Sequence, residues 1–122
     1  MKNVIVFGGS GFLGSHVCDK LMQSGYNVTV FDKIQSEFIK GKHNIVIGDI
    51  LSEEKVDKAV KNANIVFNFA GLSDLNVAKS DPIATIRYNI LGNAIILEAC
   101  RKAGIDRFVY ASSVYVYSSS GG

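Results

Sequence analysis

Hydrophobic positions along the chain fall into two alternating patterns: short β-branched runs, and longer stretches where apolar residues return every three or four positions. Val4-Ile5-Val6-Phe7 is the first kind. Four consecutive apolar residues leave no polar face, so the run reads as a strand buried on both sides. Phe12 to Ser24 is the second kind, a helix with Leu13, Val17 and Leu21 on one face, stopped by Gly25. Asn27 to Phe31 predicts a second strand ending at Asp32, and Lys33 to Lys42 is polar and loop-like, with room for one helical turn. Ile45-Val46-Ile47 is a short third strand ending at Gly48-Asp49. Ser52 then caps a helix with Glu53 and Glu54 in its first turn, where the helix dipole favours acids, running to about Lys61. Ile65 to Phe69 is the fourth strand. After a loop, Asp81-Pro82 opens the longest helix, since proline at the first helical position has no N–H to lose. Its inward stripe is expected at Ile83, Ile86, Ile90, Ala94 and Leu97. Gly104 ends it, and Phe108 to Ala111 is the fifth strand.

Strands that alternate with helices predict a parallel sheet, because each return to the same edge needs a crossover. The expected fold class is α/β, a doubly wound sheet of five parallel strands in the order 3-2-1-4-5. One domain is expected over residues 1–117, followed by a flexible Ser/Gly tail over 118–122.

Composition adjusts this picture little. At 122 residues, 48% hydrophobic and 20% charged, the chain can build one core and not two. Its net charge is +2, and the basic residues are scattered, so no nucleic-acid surface is expected. No apolar run approaches the roughly 20 residues needed to cross a bilayer, and the first strand begins by Val4; no membrane partner and a cytoplasmic location are the expectations. Cys18 and Cys100 fall in helices, outside any CxxC pair, and read as buried free thiols. His16 and His43 have no carboxylate or thiol at ligand spacing, so no metal site is expected.

The chemistry is concentrated after the first strand. Gly8-Gly9-Ser10-Gly11-Phe12-Leu13-Gly14 satisfies G-x-G-x-x-G from Gly9 and G-x-x-G-x-x-G from Gly8. Between a strand and a helix, such glycines give a tight turn, let backbone approach a pyrophosphate, and let the helix pack close to the sheet. The helix N-terminus then faces the phosphates. Asp32, 18 residues after Gly14, is placed to accept hydrogen bonds from the adenosine ribose and to repel a 2′-phosphate, which favours NAD over NADP. Lys33 beside it partly offsets that repulsion. Asp49 reads equally as an adenine contact or as a turn cap.

Taken together, these residues resemble the extended short-chain dehydrogenase/reductases, and among them the NAD-dependent epimerases and dehydratases of nucleotide sugars. The resemblance also rests on Gly48-Asp49-Ile50, Asn68-Phe69-Ala70-Gly71, Asp81-Pro82, Asn89-Ile90-Leu91-Gly92-Asn93, Arg107-Phe108-Val109-Tyr110-Ala111-Ser112-Ser113 and Val116-Tyr117. It implies a Rossmann-like domain and assigns roles. Gly8, Gly11, Phe12, Leu13 and Gly14 form the dinucleotide loop, while Asp32 and Lys33 stand at the adenosine ribose. Asp49 and Ile50 lie beside adenine, which tips Asp49 towards binding. Phe69, Ala70 and Gly71 line the pyrophosphate and nicotinamide-ribose side. Asn89 braces the active-site strands, and Ser113 is the catalytic hydroxyl that bonds the reacting substrate oxygen.

The chain also departs from that pattern. Phe7 stands where Thr is usual, Asn68 where His is common, Asn93 where Thr is usual, and Ser118 where Gly is usual. No Tyr-x-x-x-Lys pair, the family's base, occurs: the last lysine is Lys102, and Tyr88 has Gly92 four residues on. The expectation is therefore the NAD-binding part of a nucleotide-sugar epimerase/dehydratase, truncated, inactive alone, and able to self-associate along strand five. The alternatives are a non-catalytic NAD(P) sensor module and an extended reductase of another alcohol, such as a sterol or flavonoid.

Overall fold

The computed structural model describes residues 1–37, 44–71 and 79–111. Strands β1 (Asn3–Phe7), β2 (Asn27–Asp32), β3 (Asn44–Ile47), β4 (Ile65–Asn68) and β5 (Arg107–Tyr110) form one sheet. All neighbours are parallel, in the expected order β3-β2-β1-β4-β5. β1 lies at the centre, with Phe7 level with Phe31 on one side and Asn68 on the other. Its residues alternate between two cores. Val4 and Val6 join Cys18, Val28 and Val30 beneath helix α1 (Phe12–Gln23). Ile5 and Phe7 join Phe31, Val56 and Val60 on the opposite face, under helix α2 (Glu53–Val60). Burial on both faces is why this strand carries no polar residue after Asn3.

The helix ends follow local chemistry. Gly25, at φ +90°, lets the Tyr26 N–H turn back to the Leu21 carbonyl. The Ser52 hydroxyl accepts from the Lys55 N–H, and the Asp81 carboxylate from the Ala84 N–H. The long helix is three segments in series: α3 (Pro82–Ile86), a π-helical turn (Arg87–Leu91) and α4 (Gly92–Ala103), closed by Gly104 at φ +67°.

Two helix faces differ from expectation. Ile83, Ile86, Ile90, Ala94 and Leu97 are exposed, Ile83 at 71%. The buried residues are Gly92, Ile96, Ala99 and Cys100. This helix is apolar on more than one side, and close packing against the sheet and α2 selects the stripe with small residues rather than the one with most isoleucines. In α1 the buried positions are Gly14, Ser15 and Cys18, while Leu13 is 57% exposed and Val17 and Leu21 are half-buried. The tight approach at Gly14 rotates Leu13 out towards the strand ends. In the Lys33–Lys42 segment, residues 33–36 are irregular and Glu37 is a turn residue; residues 38–43, like 112–122, lie outside the described residues.

Candidate functional site

The glycine loop brings the ends of β1 and β4 into contact. Gly8 adopts φ +77°, and a β-carbon there would stand 2.6 Å from the Phe69 carbonyl carbon and 2.7 Å from the Ala70 nitrogen. Gly14 meets the Gly8 carbonyl oxygen so closely that no β-carbon fits between them. Gly9 turns the other way, against Val30 and Cys18. Gly8, Gly11 and Gly14 are the glycines that border the open side of the loop, and Gly9 serves the core. Gly11 is the N-cap of α1 with no side-chain cap, and the first turn carries no acid to oppose an anion.

Asp32 is held from two sides. Its carboxylate accepts from the Ser10 N–H at 3.0 Å and from the Lys33 N–H at 2.7 Å. The Ser10 hydroxyl donates to the Ile34 carbonyl at 2.6 Å, and the Ser36 hydroxyl to the Ser10 carbonyl at 2.7 Å. The glycine loop and the segment after β2 are thus stitched into one rim.

A cavity of about 520 Å³ opens at the carboxyl ends of the strands, where the sheet order reverses between β1 and β4. Every strand contributes to it. Gly8, Gly11 and Gly14 follow β1, and Phe12 and Leu13 open α1. Asp32 and Lys33 end β2, Gly48 and Ile50 follow β3, Phe69 to Gly71 follow β4, and Ala111 follows β5. A crevice at this switch point is where open α/β sheets bind ligands.

Tyr88, from the π-helical turn, closes the side nearest Lys33. Its hydroxyl donates to Asp49 Oδ2 at 2.8 Å and accepts from Lys33 Nζ at 2.8 Å. Lys33 Nζ also lies 3.8 Å from Asp49 Oδ2 and 4.5 Å from the Tyr88 ring centroid. The hydrogen bond to Tyr88 raises the Lys33 pKa above its ordinary value, helped by the Asp49 charge. Burial pushes the Asp49 carboxyl up, but the Leu51 N–H, the Tyr88 hydroxyl and Lys33 together hold it below the usual carboxylate value. Asp49 also accepts from the Leu51 N–H at 2.9 Å, so it caps the turn as well as tying it to Tyr88. Of the two sequence-based readings of Asp49, these contacts show the turn cap.

Residues 4–122 match the model of the NAD dependent epimerase/dehydratase family. The chain belongs to this family. It is 33% identical to UDP-glucose 4-epimerase of Schizosaccharomyces pombe, over 93% of this chain and 36% of that enzyme. It is 34% identical to the decarboxylating sterol-4-alpha-carboxylate 3-dehydrogenase of Mus musculus, over 94% of this chain and 31% of that one. Among solved structures, UDP-glucose-4-epimerase from Stenotrophomonas maltophila, with bound NAD and formylated UDP-arabinopyranose, superposes with a TM-score of 0.89 at 27% identity. That match covers 96% of this chain and 38% of the other. The chain thus spans roughly a third of the length of these relatives.

Within this epimerase/dehydratase domain, two asparagines distant in sequence are each other's partners. Asn68, 1% exposed, donates through Nδ2 to Asn93 Oδ1 at 2.9 Å, and its own Oδ1 accepts from the Ala70 N–H at 2.9 Å. The pair fixes the turn after β4 that lines the cavity. Asn89 stands behind that turn, its Oδ1 2.6 Å from where a β-carbon on Gly71 would be. One turn on, Gly92 lets the helix close over the Ile50 side chain. The Asn89-to-Gly92 motif therefore positions two cavity walls from behind, and the π-helical turn between them is an irregularity typical of functional sites.

Sequence reasoning missed Tyr88, which it weighed only as a candidate base. It also missed Ala111, Phe31 and Gly48 as lining residues. The adjacency of Tyr88 to Asn89 was the available signal. Asp49 and Asn89 support the cavity rather than line it, and Ser113 lies outside the described residues.

Proposed function

We propose that this chain holds NAD for an enzyme that acts on a nucleotide sugar by transient hydride transfer, as an epimerase or dehydratase does. The observation that carries the reading is the close approach of backbone at Gly8 and Gly14, beside a cavity whose far rim is Asp32: β-carbons there would strike the turn after β4 and the loop itself, so only glycines keep the turn tight enough to set the start of α1 against that cavity. Gly8, Gly11 and Gly14 let the backbone reach the pyrophosphate, with Phe12 and Leu13 opening the helix N-terminus towards it. Asp32 accepts from the adenosine ribose hydroxyls. Lys33, Asp49 and Ile50 border the adenine end. Phe69, Ala70 and Gly71 face the nicotinamide ribose, with Asn89 bracing them from behind. The Ser113 hydroxyl bonds the substrate oxygen that gains or loses a proton. NAD, when bound, supplies the site that accepts and returns the hydride.

The nucleotide-sugar part of the reading is supported by relatives named UDP-glucose 4-epimerase. A second reading, an extended reductase of a sterol alcohol, has support from the sterol dehydrogenase relatives. NADH fluorescence titration of the chain tests the cofactor; a folded chain that binds neither NAD nor NADH overturns the proposal. The 122 residues contain no Tyr-x-x-x-Lys pair, so no turnover of UDP-, GDP- or dTDP-sugars is expected from them alone; losing general-base help costs about 10²–10⁴-fold in rate. Clear turnover by the purified chain contradicts this assignment of roles. Assay of the whole gene product with UDP-glucose and with a sterol carboxylate separates the two enzyme readings. Inactivity on both, with NAD still bound, favours the sensor module.

A further inference from the structure

Lys33 follows directly on the acid that faces the adenosine ribose, and its backbone N–H bonds that acid. A cation at this place ordinarily welcomes a 2′-phosphate and so admits NADP. In this chain the ammonium is engaged elsewhere. It donates to the Tyr88 hydroxyl at 2.8 Å, lies over the Tyr88 ring and stands 3.8 Å from Asp49 Oδ2. Tyr88 is itself fixed by its bond to Asp49, and Asp49 by the Leu51 N–H. The lysine side chain is more than half exposed, so each contact alone is weak, but all three draw the ammonium to the same place.

We propose that Tyr88 and Asp49 tether Lys33 away from the ribose 2′ position, so that Asp32 acts unopposed and the site discriminates against NADP. This makes Tyr88 a specificity residue that acts through Lys33. The inference rests on the nucleotide reading above.

The test is a set of NADH and NADPH dissociation constants measured by fluorescence. They are measured for the wild-type chain, Tyr88→Phe, Asp49→Asn and Lys33→Ala, and for the first two variants combined with Lys33→Ala. The ratio of the two constants cancels any contact to adenine or ribose that both nucleotides share, and isolates the 2′-phosphate. Lys33→Ala alone is expected to move the ratio less than about twofold, because the tethered lysine does not reach the phosphate. Tyr88→Phe and Asp49→Asn are each expected to shift the ratio towards NADPH by about threefold to tenfold, the scale of one exposed charge-assisted contact. Adding Lys33→Ala is expected to remove that gain, since a coupled pair is non-additive. A gain that survives Lys33→Ala, an unchanged ratio in both release variants, or a marked loss of NADPH affinity in Lys33→Ala alone overturns the tether. A wild-type chain that binds neither nucleotide overturns the nucleotide reading itself, and the tether with it.

Discussion

Gly14 sits so close to the carbonyl oxygen of Gly8 that no β-carbon fits between them, and this closes the loop that joins β1 to α1. An alanine there must push either the helix or the loop away. Gly14→Ala is expected to lower stability by about 1–3 kcal/mol, as overpacking does in a closed site, and to weaken nucleotide binding further because the loop opens. Urea denaturation followed by circular dichroism gives the first effect. A midpoint equal to wild type would show that the loop has slack the structure does not display.

Asp32 is expected to make the chain prefer NAD to NADP, since its charge opposes a 2′-phosphate. Asp32→Ala should narrow the difference in binding free energy by roughly 1–2 kcal/mol, the size of a lost charge-assisted hydrogen bond. Because Asp32 also accepts from Ser10, the variant should loosen the rim of the glycine loop, and its NAD affinity should fall. Calorimetric titration with both nucleotides checks this. Equal or tighter NADP binding by the wild type contradicts it.

The two thiols are expected to behave as core groups. Burial pushes the Cys18 pKa up to about 12, with Asp19 adding to the shift, and burial alone pushes Cys100 to about 11. Both are raised above the ordinary 9.0, so their neutral forms favour the folded state. That contribution is complete below about pH 9 and is lost as pH rises towards the folded values. A thiol-reactive dye at pH 8 should label neither cysteine until denaturant is added, and the denaturation midpoint should fall between pH 9 and pH 11. Fast labelling of the native chain would argue against the packing described for α1 and α4.

Self-association is expected through surfaces that lack cover among the described residues. β5 stands at the edge of the sheet, where unpaired backbone groups invite another strand. Ile83, Ile86, Ile90 and Leu97 form an exposed apolar stripe on the long helix. Sedimentation at several concentrations should show association that weakens in an Ile86→Glu, Ile90→Glu variant, with the helical content kept. A wild-type chain that stays monomeric throughout removes the prediction.

Elements set by neighbours in sequence were legible from the chain itself. Val4 to Phe7 had to be a central strand, Gly25 and Gly104 had to end helices, and Ser52 and Asp81 had to begin them, because each choice rests on backbone chemistry within a few residues. The glycine loop and Asp32 were legible for the same reason, since strand, turn and helix are contiguous. The tertiary structure decided what lies face to face. The isoleucine stripe is inward on periodicity, yet Ile96, Ala99 and Cys100 are the residues that join the core with α2 and the sheet, and Gly92 closes on Ile50, because packing density favours the stripe with small residues that lets the elements approach. Asn68 and Asn93 looked like two separate departures until the fold set their amides 2.9 Å apart. Lys33, Asp49 and Tyr88 come from three different segments, and only the pairing of β2 with β3 and the closure of the helix over Ile50 bring their charges and hydroxyl together. Contacts of this kind depend on the relative placement of elements distant along the chain, which no local pattern encodes.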